Sequence, residues 1–110
     1  MEDKILEKKV QIIMDEYILL MNRSKNEVSA LLNVKINFDY QFSLLKLSKN
    51  VKLITYFSLS MNWLSWYFYD KGDEYKNYMN LFSKLYYEVN GWCYDNLNYD
   101  ELRYYYKETN

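Results

Sequence analysis

The chain has no histidine and no proline, only two glycines (Gly72 and Gly91), and a single cysteine, Cys93, in 110 residues. Without imidazole there is no Ser-His or Cys-His pair and no histidine metal ligand. One thiol makes neither an internal disulfide nor a structural zinc site. No glycine-rich loop is present to cradle phosphate. The adjacent carboxylates Asp15-Glu16, Asp73-Glu74 and Asp100-Glu101 would diverge on a helix, where neighbours are turned by about 100°. They read as solvated faces and helix starts rather than acid–base dyads. The expectation is a protein that is not an enzyme and that takes no metal, cofactor or small-molecule substrate.

An excess of either charge is also missing. Fourteen basic residues face 15 acidic ones, a formal net charge of −1, so no global field calls for nucleic acid or an anionic bilayer. The opening MEDKILEKK lacks the basic and apolar regions of a signal peptide, and a cytoplasmic location is the expectation. The longest uncharged run, LITYFSLSMNWLSWYFY from Leu53 to Tyr69, is shorter than the ~20 apolar residues of a membrane-spanning helix. It also contains Thr55, Ser58, Ser60, Asn62 and Ser65, and polar groups in hydrocarbon are expensive unless bonded. The run reads as the core of one domain covering residues 1–110, with no membrane partner.

What is present is helical periodicity. Leu6, Val10, Ile13, Tyr17 and Leu20 recur at helix spacing and predict an amphipathic helix over residues 3–22. SKNE, Ser24 to Glu27, has the form of a capping box and predicts a short second helix through about Asn33. VKINFDYQF, Val34 to Phe42, alternates apolar and polar residues like a strand. Residues 51–69 fit a helix face through Leu53, Phe57, Met61, Leu64 and Phe68, capped by Asn50, with a β-hairpin within residues 34–61 as the alternative. DKGDE at 70–74 predicts a turn. Beyond it Tyr75, Tyr78, Met79, Phe82, Leu85, Tyr86 and Val89 make a core face, ending at Asn90-Gly91 as a left-handed cap. A last short helix over about 98–107 starts at Asn98. The fold class is therefore mainly α, a compact bundle of four to five helices.

Two features bear on function. EVSALLNV, Glu27 to Val34, resembles the first helix and turn of a helix-turn-helix, yet Asp39 stands where the next helix would need an apolar anchor. Lys46, Lys49 and Lys52 could meet phosphates, though such lysines more often form a solvated helix face. A small dimeric DNA-binding regulator of transcription or replication is thus the alternative reading. The stronger signal is aromatic: 11 of 14 Tyr and all three Trp lie from residue 63 onward. YYY at 104–106 fans around most of a helix, so the rings outnumber one inward face. Tyr and Trp favour interfaces because they combine large contact area with a polar handle. The expected interface comprises Trp63, Trp66, Tyr69, Trp92, Tyr94, Tyr104 and Tyr105, docking another protein or a second copy as a homodimer. Twelve Lys against two Arg, and 12 Asn, suggest an AT-rich genome. With the small size, they lead to the expectation of a phage or mobile-element inhibitor or immunity-type protein.

Overall fold

Asparagine side chains begin two of the helices. A computed structural model describes residues 2–98 and 100–103, with the side chains of residues 2 and 3 outside the description. Four long helices run through it: α1 (Glu2–Asn22), α2 (Glu27–Ser48), α3 (Val51–Lys71) and α4 (Lys76–Asn96), with a 3-10 turn at Asp73–Tyr75 before α4. Asn26 caps α2 by accepting from the Ser29 amide at 2.8 Å, and Asn50 caps α3 by accepting from the Leu53 amide at 3.1 Å. Asn98 likewise accepts from the amides of Asp100 and Glu101, opening the helical turn at 100–103.

Several expectations need correction. No strand occurs among the described residues, and the hairpin within 34–61 is replaced by α2, the two-residue link Lys49-Asn50 and α3. Ser24 does not cap the second helix; its hydroxyl donates to the Leu20 carbonyl and accepts from the Asn33 amide, tying the α1–α2 turn together. The second helix does not stop at Asn33 but continues to Ser48, so the turn of a helix-turn-helix is not formed. Asn90-Gly91 does not end α4, which runs on to Asn96.

The α2 pattern was misleading for a geometric reason. On a helix, residues i and i+2 lie about 200° apart, on opposite sides. Ala30, Val34, Phe38 and Phe42 form one i+4 row and are buried; Ile36 and Tyr40 fall between them and are exposed. Two helical rows offset by two residues mimic strand alternation.

The core forms around α3, which packs chiefly on α4 and α1. Every residue from Ile54 to Met61 is buried, so this part of the helix is covered on all sides. Its polar groups are accommodated locally: Thr55 donates to the Val51 carbonyl at 2.8 Å and Ser60 to the Tyr56 carbonyl at 2.6 Å. Ser65 reaches across to the Met79 carbonyl on α4 at 3.2 Å. Leu6, Val10, Met14, Tyr17 and Met21 face the core from α1, and Phe82, Leu85, Val89 and Cys93 from α4. Leu53, expected in the core, is exposed. No helix among the described residues is long and apolar enough to cross a membrane.

All five phenylalanines join one run of ring contacts. Phe42 meets Phe38 at 5.4 Å, and Phe38 stacks on Phe57 at 5.3 Å. Tyr17 then bridges Phe57 (6.5 Å) to Phe82 (5.9 Å), which stacks on Phe68 at 5.8 Å. The run touches all four helices.

The two glycines stand in opposite situations. Gly72 has φ +106° and ψ −178°, a region essentially closed to residues with a Cβ. Gly91 sits inside α4, with nothing within 4 Å of where its Cβ would be. Gly91→Ala is therefore expected to raise stability by about 0.5–1 kcal/mol, and Gly72→Ala to lower it by about 1–3 kcal/mol. Denaturant unfolding of the two variants checks both signs.

Candidate protein-interaction surfaces

Three residues apart on a helix places two side chains on one face. At the C-terminal end of α3 this brings Trp66 and Tyr69 together edge to face, ring centroids 5.6 Å apart and planes at 77°. Both are open to solvent, 58% and 61% exposed. Beside them lies an open cleft of about 560 Å³ lined by Tyr69, Asp70, Gly72, Asp73, Lys76 and Met79. The Gly72 turn and the 3-10 turn create it, because they carry the chain away from α3 before α4 starts. Lys71 lies over the rings of Tyr67 (4.9 Å) and Tyr75 (5.5 Å).

The remaining residues of the sequence-derived interface are dispersed. Trp63 and Trp92 are half-buried and pack against the core. Trp92 meets the ring of Phe42 edge to face at 5.8 Å. Tyr94 is exposed on α4. Tyr104 and Tyr105 lie outside the described residues. The three lysines considered for phosphate contact also part company: Lys46 lies over the Phe42 ring at 4.6 Å and Lys52 over Tyr56 at 5.9 Å, while Lys49 occupies the left-handed cap of α2.

A second apolar surface was missed in the sequence. Val28, Leu32, Ile36, Tyr40, Leu44 and Leu47 line the outer side of α2, each 48–82% exposed. The signal was available as an i+4 recurrence, but its interleaving with the buried row gave it the look of a strand. Below this helix, a cleft of about 250 Å³ opens between α1, α2 and α3, with Ile13, Tyr17, Gln41, Leu45, Leu53 and Phe57 among its walls.

Ionisable groups are few in the interior. Burial pushes the Cys93 thiol up to about 11. Burial, and then the nearby carboxylates of Glu16 and Asp39, push the Tyr17 phenol upward. Its hydroxyl is the one buried side-chain polar atom without a hydrogen-bond partner among the described residues. No cluster of three or more potential metal-binding side chains occurs among the described residues. Lys35 donates to Asp39 at 2.8 Å and lies 3.7 Å from Glu88, linking α2 to α4.

Both raised values favour the protonated form in the fold. An unfolded chain gives up the Cys93 proton near the ordinary value of 9.0, whereas the native chain keeps it to about 11. Stability is therefore fully present below pH 9 and falls as pH rises through that window, with Tyr17 adding to the loss above its ordinary 10.0. Denaturation midpoints taken across this range should decline, and Cys93→Ala should make the decline shallower.

Compared with known proteins, the chain matches no family model, no curated protein and no solved structure.

Proposed function

We propose that this chain is a non-enzymatic protein-binding module, acting as a stoichiometric inhibitor or immunity-type protein that neutralises a macromolecular partner by covering its surface. The observation that carries the reading is the exposed Trp66–Tyr69 pair, whose tyrosine lines the cleft beside the Gly72 turn. Large rings held against each other are already ordered, so burying them costs little side-chain entropy and removes much apolar area from water. Asp70, Asp73 and Lys76 in the adjoining wall place charges of both signs beside the aromatic area. The mixture of aromatic area and a few charges is the composition of binding hot spots.

Affinity capture with the full chain, followed by titration of the captured protein, tests this. Trp66→Ala should weaken binding by about 1–2 kcal/mol while leaving the unfolding midpoint nearly unchanged. A large drop in stability would return the ring to the core and remove the reading. Affinity should change little as salt rises; a steep decline would point instead to phosphate contacts and a nucleic-acid partner.

A further inference from the structure

The outer side of α2 is the larger unexplained surface. A helix exposed on one side normally turns charged and polar residues to water. Here the outward arc centred on Ile36 carries Val28, Leu32, Tyr40, Leu44 and Leu47, interspersed with Ser29, Asn33 and Ser43. Lys46 stands at its edge, on the same line as Val28, and is turned over the Phe42 ring. Asp39 is the only acid on that arc, and its charge is already met by Lys35 at 2.8 Å. Charge depletion around aliphatic and aromatic side chains distinguishes the centre of an interface from ordinary surface.

We infer that this face of α2 binds a second copy of the chain, in antiparallel orientation, across a two-fold axis beside Ile36. The area allows a small dimer interface: with exposures of 48–82%, the six side chains expose roughly 700 Å² per copy in all, the ceiling on what a second copy covers through them, against about 800 Å² per partner in an interface of standard size. The order of residues is also self-complementary. With Ile36 opposite Ile36 of the second copy, Leu32 meets Tyr40, Val28 meets Leu44 and Ser29 meets Ser43. In the same register Asp39 faces the side-chain amide of Asn33, so no like charges oppose each other. Because the apolar row follows i+4 spacing, ridge-into-groove packing against its own copy crosses the helices at about −50°. A near-neutral face offers a foreign partner no charge pattern to select it, whereas an isologous contact needs only the face itself. None of these residues lies on α3, so this dimer and partner binding through Trp66 can be disrupted separately.

Sedimentation equilibrium of the full chain, with circular dichroism as the control for folding, tests the inference. The unaltered chain is expected to be a dimer, and Ile36→Glu to raise its dissociation constant at least about 100-fold by setting two carboxylates against each other at the axis. The helical signal should be unchanged, because Ile36 is exposed. An unaltered chain that sediments as a monomer overturns the inference, as does a dimer that survives Ile36→Glu. If that variant loses its helical signal, cysteine substitution decides. Ile36→Cys should form an intermolecular disulfide on mild oxidation, since both copies meet at the axis, within the Cα separation a disulfide allows. Val28→Cys, about 12 Å along the helix from the axis, should not. Failure of Ile36→Cys to cross-link, or equal cross-linking by Val28→Cys alone, overturns the register. Loss of the dimer with retained partner capture would separate this result from the proposed function.

Discussion

The ring of Tyr17 is the contact on which the packing depends. It touches Phe57 of α3 and Phe82 of α4 from its own position on α1, and Phe57 carries the contact on to Phe38 and Phe42 of α2. Without a disulfide among the described residues and with one cysteine in the chain, the helices are held by side-chain packing and by few inter-helix polar contacts. Aromatic rings suit this task because each buries a large area in a fixed shape, and tilted or offset pairs add about 0.5–1.5 kcal/mol beyond burial. The unpartnered Tyr17 hydroxyl works against that gain, since an unsatisfied buried polar group costs about 1–3 kcal/mol.

Apart from the buried Tyr17 and Tyr56, the tyrosines and tryptophans sit nearer the surface than the phenylalanines. The five phenylalanines lie in the interior run, whereas Trp66, Tyr69, Tyr87 and Tyr94 are exposed and Trp63 and Trp92 straddle the boundary. A phenol or indole carries a polar group that water satisfies at the rim, and a phenyl ring does not. The shortest dimension of the molecule, 19 Å, is about two helix diameters. Within it α3 is covered over eight consecutive residues, whereas α2 has one side packed and the other open.

The candidate surfaces were only partly legible beforehand. Trp66 and Tyr69 stand three apart, a spacing that shares one face once the segment is a helix. Trp92 looked equally available, but Phe42, 50 positions earlier in the chain, takes up its ring. The outer row of α2 was hidden for another reason: alternating apolar residues have two meanings, a strand with one buried face or a helix with apolar rows on both sides. Local pattern does not separate them. Length does, because α2 sustains its rows for 22 residues, far beyond an ordinary strand.

The sequence by itself determined the helical class, the amphipathic face of α4, that of α1 except that Met14 and Met21 lie deeper than Ile13 and Leu20, the asparagine starts at positions 50 and 98, and the lack of imidazole and paired thiols. These follow from residue type and from spacing within a few turns. Tertiary structure decided what depends on residues far apart: that Leu53 lies outside the core, that Gly91 continues a helix instead of ending one, and which row of α2 turns inward. The physical reason is that a helix specifies its own faces, whereas which face is buried depends on what the other helices bring against it.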